Sequence, residues 1–155
     1  MQVLLADDQA KVRSAIRLLL EQDETIEVVG EAVDATGLID WLNVLCPDLV
    51  LLDWELPGAG AGELLSAIQG HCGRAQVIAL SGIPDARQAA LNAGADGFVS
   101  KGDPPERLLE AIKRCSRNGP GPDHAGTAES ERTSARSDAR VPLLDQAPED
   151  QEALG

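Results

Sequence analysis

Residues 51–65 read "LLDWELPGAGAGELL", and the strand that ends inside this stretch decides the architecture. Leu49, Val50, Leu51 and Leu52 form an unbroken apolar run that stops at a carboxylate, Asp53, and then at a Pro57-Gly58 turn. A strand that is apolar at every position has both faces covered, the habit of parallel sheets flanked by helices. Working outward, residues 3–6, 26–32, 77–81 and 97–100 are further short apolar runs. Between the strands lie segments of helical period at 10–21, 35–45, 63–69, 85–93 and 104–117. Val12, Ile16, Leu19 and Leu20 share one face of the first, and Asp103 followed by Pro104 is a helix-start signature for the last. Five strands alternating with five helices predict an α/β domain, a doubly wound five-stranded parallel sheet with helices on both faces.

The composition changes near residue 118. Residues 1–118 hold 18 acids and 10 bases, a net of −8, and residues 119–155 hold 8 acids and 3 bases, a net of −5. The second stretch is rich in Pro, Gly, Ser, Ala and charge, with one apolar cluster at Val141, Leu143 and Leu144. Too little apolar surface is available there to offset ordering entropy, so 119–155 is expected to be a disordered acidic tail with no output domain. A total of −13 over 155 residues speaks against direct nucleic-acid binding, which needs Lys and Arg to displace counterions. Charges interrupt every apolar run, so no membrane span is expected. With no targeting segment after Met1, the chain is expected to be cytoplasmic. Cys46, Cys72 and Cys115 show no CxxC spacing and are expected to be free thiols in a reducing compartment.

In open parallel sheets, sites form outside the carboxyl ends of the strands. The first strand ends in Asp7-Asp8, the third in Asp53, the fourth in Ser81-Gly82, and the fifth runs into Lys101. If these strands are neighbours, three carboxylates, a hydroxyl and an ammonium share one crevice. Three close carboxylates repel one another, and a hard cation such as Mg²⁺ relieves that repulsion while leaving room for substrate oxygens. Lys101 can pair with Asp53 and an incoming anion, and Ser81 can donate to a phosphoryl oxygen. The set suits a carboxylate nucleophile, Asp53, that accepts a phosphoryl group. Asp7-Asp8 taken alone reads equally well as a cap of the first helix.

At "LLADDQ", "LVLLDWELPG", "ALSG" and "GADGFVSKG" the sequence resembles the receiver domain of bacterial two-component response regulators, over about residues 1–118. The resemblance implies a flavodoxin-like sheet of order 2-1-3-4-5. It places Asp53 as phosphoacceptor, with Asp8 and Asp7 as Mg²⁺ ligands together with Asp53 and the backbone carbonyl of Glu55. Lys101 matches the charge-neutralising lysine, Ser81 the switch hydroxyl and Phe98 the aromatic switch. It further implies a sensor histidine kinase or phosphotransfer protein as phosphoryl donor, a downstream protein partner on residues 85–117, a possible homodimer, and no turnover of free substrates. Departures from the pattern are Trp54 after the acceptor, Glu55 as an acid beside it, and Gly102 after Lys101.

Other features read more plainly. The run from Gly58 to Gly62 lacks dinucleotide-loop spacing and is expected to be a flexible loop. Trp41 lies on an apolar helical face; His71 and His124 have no spaced partners; Val141–Leu144 in the tail admits a docking role. An aspartyl-phosphate hydrolase would show Asp-x-Asp, whereas Glu55 stands two after Asp53. A receiver that binds constitutively without phosphorylation is the remaining alternative.

Overall fold

The computed structural model describes residues 1–118, and the tail expected at 119–155, with His124 and the Val141 cluster, lies outside the described residues. The elements run β1 (Gln2–Ala6), α1 (Ala10–Leu20), β2 (Glu27–Ala32), α2 (Ala35–Val44), β3 (Leu49–Asp53), α3 (Ala61–His71), β4 (Gln76–Ser81), α4 (Ala86–Ala93), β5 (Gly97–Ser100) and α5 (Pro105–Asn118). All neighbouring strands pair in parallel, in the order β2-β1-β3-β4-β5, the flavodoxin-like arrangement expected from the sequence.

Alternation along the strands feeds two cores. Val3, Leu5, Leu49, Leu51, Ile78 and Leu80 point to one face and pack with Ile16 and Leu20 of α1 and Leu108 and Ile112 of α5. Leu4, Ala6, Val50, Leu52, Val77 and Ala79 point to the other and pack with Leu38 and Leu42 of α2, Leu64, Leu65 and Ile68 of α3, and Ala90 of α4. All five residues of β3 are buried, so the central strand carries Asp53 to the rim with apolar cover on both sides. At roughly 25 cal/mol per Å² of apolar surface, each fully buried Leu contributes about 2 kcal/mol relative to exposure. That burial is what holds a charge at the strand end.

Trp41 packs against the second core, and its indole Nε1 donates to the Glu31 carbonyl at 3.0 Å. Its ring lies over Gly30 so closely that a Cβ there would sit 2.6 Å from Trp41 Cε2. Gly30 pairs with Leu4 just past an irregularity in the β1–β2 register, so this edge strand bends under the indole.

Three expectations are corrected. First, the residues expected to form a loop at 58–62 split. Gly58 has φ 107 and fits against Ala35, but α3 already begins at Ala61 because the Glu63 carboxylate accepts from the Gly60 N–H at 3.1 Å. Second, Asp103 does not open α5. The helix starts at Pro105, and Asp103 Oδ2 instead accepts from the Ser100 N–H at 3.2 Å, closing the β5–α5 turn. Third, Cys46 and Cys72 are joined in a disulfide rather than free. Cys72 caps α3, its N–H bonding Ile68 O at 2.8 Å, and this brings its Cα to 5.4 Å from that of Cys46 in the α2–β3 loop.

Cys115, on the core-facing side of α5, remains a free thiol and is buried. Burial pushes it up to about 12 from an ordinary 9.0. The unfolded chain ionises this thiol first as pH rises, so its contribution is intact below pH 9.0 and is lost toward about 12. The expected result is a stability difference between wild type and Cys115→Val that shifts against the wild type by about 1.4 kcal/mol per pH unit above pH ~9. Urea unfolding between pH 8 and pH 11 checks it; the absence of Tyr keeps the alkaline titration simple.

Candidate functional site

The strand order places the ends of β1, β3, β4 and β5 along one rim, with β3 between β1 and β4. One oxygen from each of Asp7, Asp8 and Asp53 lies within 4.8 Å of the others. Asp7 and Asp53 are buried at 2% and 1% exposure, whereas Asp8 is open to solvent.

Each side chain is held by local structure. Asp7 Oδ1 accepts from the Gln9 N–H at 2.8 Å, a turn that orients the carboxylate inward rather than capping α1. The cap residue of α1 is Gln9, which makes no side-chain capping bond, so neither Asp7 nor Asp8 occupies the cap position. Arg13 Nη1 donates to the Asp7 carbonyl at 2.7 Å, and its Nε contacts Glu31 at 2.9 Å, so α1 ties β1 to β2 just below the rim. Arg17, one turn on, joins the same Glu31 at 2.6 Å. Asp53 Oδ1 accepts from the Glu55 N–H at 3.0 Å. The loop that carries Glu55 is tied across to β4 by the bond from Trp54 N to Leu80 O at 2.7 Å.

Lys101 Nζ stands 2.9 Å from Asp7 Oδ2 and 3.3 Å from Asp53 Oδ1. Its N–H bonds Ser81 O at 2.8 Å, which fixes the lysine to the end of β4. Burial works against the charged ammonium, but the hydrogen bond to Asp7 and the charges of Asp53 and Asp7 outweigh it and the balance is upward. Burial pushes Asp53 above the ordinary carboxylate range, and the neighbouring Asp7 charge adds to this. The Glu55 N–H and Lys101 pull the other way without cancelling the rise. One ammonium against two buried carboxylates leaves the site short of positive charge. Apart from its ion contact with Lys101, Asp7 Oδ2 has no well-directed hydrogen bond although it is buried. An all-oxygen donor set with an under-satisfied buried oxygen fits Mg²⁺, which takes one or two carboxylates and keeps its remaining waters.

Ser81 is fully buried, and its Oγ is engaged at both ends. It accepts from the Ile83 N–H at 2.9 Å and donates to Glu55 Oε2 at 2.7 Å. Phe98 lies on β5 opposite Ala79, half-buried against the second core, with the Arg87 guanidinium of α4 5.9 Å from its ring centre. Trp54 is half-buried beside Asp53 and packs on the same core. His71, by contrast, lies at the far end of α3. Sequence reasoning thus assembled the acids, Ser81 and Lys101 but missed Arg13 and Arg87. For Arg13 a signal existed: Arg13 and Arg17 are four apart on one helix face, and Glu31 interrupts the apolar run of β2.

The family model for the response regulator receiver domain matches residues 3–113. The chain belongs to this family. The nitrate/nitrite response regulator protein NarP of Escherichia coli (strain K12) is 41% identical over 115 residues, which cover 72% of this chain and 53% of that protein. Response regulator UvrY of Escherichia coli (strain K12) is 35% identical over 113 residues, covering 72% and 52%. The isolated REC domain of RcsB from Salmonella enterica serovar Typhimurium, solved in the presence of phosphomimetic BeF3−, aligns with a TM-score of 0.71 at 31% identity, over 77% of this chain and 90% of that one. The chain spans about half the length of the curated relatives it matches. As a receiver domain, it is a signalling module of two-component systems. Among the described residues, no helix is long and apolar enough to cross a membrane.

Proposed function

We propose that this receiver accepts a phosphoryl group on Asp53 from a phosphohistidine of a sensor kinase or phosphotransfer protein. One observation carries the reading: Asp53, at the end of the fully buried central strand, has Lys101 Nζ 3.3 Å from its Oδ1 and Asp7 and Asp8 within 4.8 Å. In the transfer a carboxylate oxygen of Asp53 attacks phosphorus, the bond from phosphorus to the donor imidazole breaks, and the electron pair leaves with the imidazole. Asp7, Asp8 and Asp53, with the Glu55 backbone carbonyl, would hold Mg²⁺, whose charge offsets that of the phosphoryl oxygens when it is bound. Lys101 neutralises further charge, and the Ser81 hydroxyl donates to a phosphoryl oxygen. Movement of Ser81 and Phe98 would then reshape the face formed by residues 85–117 for a protein partner, or for a second copy of the chain. With 18 acids against 10 bases in residues 1–118, the domain as a whole is not proposed to contact nucleic acid directly. In keeping with its membership of the receiver family, stoichiometric acceptance rather than turnover of free substrates is proposed. The chain is proposed to act in the cytoplasm.

Incubation with acetyl phosphate and Mg²⁺ is expected to add one phosphoryl mass to the wild type and none to Asp53→Asn, read by intact-protein mass spectrometry. Equal labelling of the two proteins would refute the assignment.

A further inference from the structure

We infer that the Glu55 carboxylate is a built-in competitor of the phosphoryl group for the Ser81 hydroxyl, so that Glu55 is a positioning residue that sets how readily the site switches. The inference rests on the acceptor role proposed above for Asp53.

A serine hydroxyl has one proton to donate. Here that proton is committed to Glu55 Oε2 at 2.7 Å, within the short range of a charge-assisted bond. One lone pair is occupied as well, by the Ile83 N–H at 2.9 Å, which fixes Oγ from the other side. Ser81 is fully buried, so no water competes freely for it. Glu55 itself sits two residues from Asp53, with its N–H on Asp53 Oδ1 at 3.0 Å. One short loop therefore presents both the acceptor carboxylate and a second carboxylate that stands where a phosphoryl oxygen would be received.

Donation to Glu55 and donation to a phosphoryl oxygen on Asp53 exclude each other. In the unphosphorylated protein the Glu55 carboxylate holds Ser81, and phosphorylation must displace it. A like charge beside the incoming group adds to the opposition. Removing the Glu55 carboxylate frees the hydroxyl and removes the charge, while the backbone N–H to Asp53 and the backbone carbonyl of residue 55 are retained.

The test is a double-mutant cycle on the full chain, with beryllofluoride and Mg²⁺ as the probe and Trp54 fluorescence as the readout. Glu55→Ala is expected to bind beryllofluoride about tenfold more tightly than wild type, the magnitude of one charge-assisted hydrogen bond. Glu55→Gln, which keeps an acceptor but loses the charge, is expected to fall between them. In a Ser81→Ala background the effect of Glu55→Ala is expected to shrink to about threefold or less, because only the charge repulsion remains. An equal gain in both backgrounds would overturn the competition, as would unchanged affinity in Glu55→Ala, and in either case the acceptor role of Asp53 would stand. Failure of beryllofluoride to bind any of the four proteins would overturn the acceptor role and the competition together. A gain that depends on Ser81 is an effect that loop destabilisation alone would not produce.

Discussion

Lys101→Ala is expected to bind Mg²⁺ more tightly than the wild type and yet to be phosphorylated by acetyl phosphate at least ~100-fold more slowly. The two effects have opposite signs because the lysine has two roles. Its ammonium is 2.9 Å from Asp7 Oδ2 and 3.3 Å from Asp53 Oδ1, beside two of the carboxylates that would hold a cation. Removing a like charge from beside the cation site favours the cation. Unit charges ~4 Å apart interact by about 4 kcal/mol at an effective dielectric of ~20, and entering water screens part of this, so about a tenfold gain in affinity is expected. During transfer, however, the equatorial phosphoryl oxygens need a donor that Mg²⁺ alone does not replace, and loss of one such donor costs about 10²–10³ in rate.

The metal-free variant should also be less stable, by about 3 kcal/mol, because two buried carboxylates lose their ammonium. Mg²⁺ should restore much of that loss, so the melting temperature of Lys101→Ala should respond to Mg²⁺ more steeply than that of the wild type. Trp54 fluorescence gives the affinity, and a mass time course gives the rate. Lys101→Arg separates charge from shape: it keeps the cation, but its planar fork does not occupy a compact point between two carboxylates. Unimpaired phosphorylation of Lys101→Ala would remove the lysine from the transfer chemistry.

Much of this is legible in the sequence, for a physical reason. A strand buried on both faces can carry only apolar residues, so the first polar residue marks its exit from the sheet. Asp7, Asp53, Ser81 and Lys101 were found that way, and their convergence required only that strands 1, 3, 4 and 5 be neighbours, as they are. What escaped depends on the path of loops. The sequence places the acid Glu55 near Asp53, but its bond to Ser81 depends on the Trp54–Leu80 backbone contact that swings the loop toward β4. The run from Gly58 to Gly62 reads as a flexible loop for want of dinucleotide-loop spacing, and Gly62, inside the first turn of α3, is a poor helix former. Packing of Leu64, Leu65 and Ile68 overrides that local preference. The cation over Phe98 depends on the rotation of α4 against β5, which the helical period at 85–93 does not by itself fix.

The disulfide was the least legible feature and has the largest expected effect on stability. Cys46 and Cys72 are 26 residues apart, and no local spacing rule joins them; only the return of α3 along β3 does. The closed loop contains all of β3, Asp53, the Glu55 turn and α3. A cross-link restricts the unfolded chain in proportion to the logarithm of the loop it closes, and for this loop the chain-entropy model gives about 3.5 kcal/mol at 25 °C. With an unfolding entropy of about 2.1 cal/mol/K per residue, reduction is expected to lower the melting temperature of the domain by about 10–15 °C. Calorimetry with and without dithiothreitol, with the redox state verified by alkylation and mass, checks this. Cys46→Ser should reproduce the drop and abolish the response to reductant, since Cys46 is exposed and a hydroxyl there is solvated. Buried Cys115 should resist alkylation in both redox states of the folded protein. The acceptor chemistry should survive reduction at 25 °C, because Asp53 is positioned by its sheet neighbours and by the Glu55 N–H, none of which involves the cross-link. A verified reduced protein that melts at the oxidised temperature would mean that the unfolded chain is already compact around this loop, so that closing it removes little entropy.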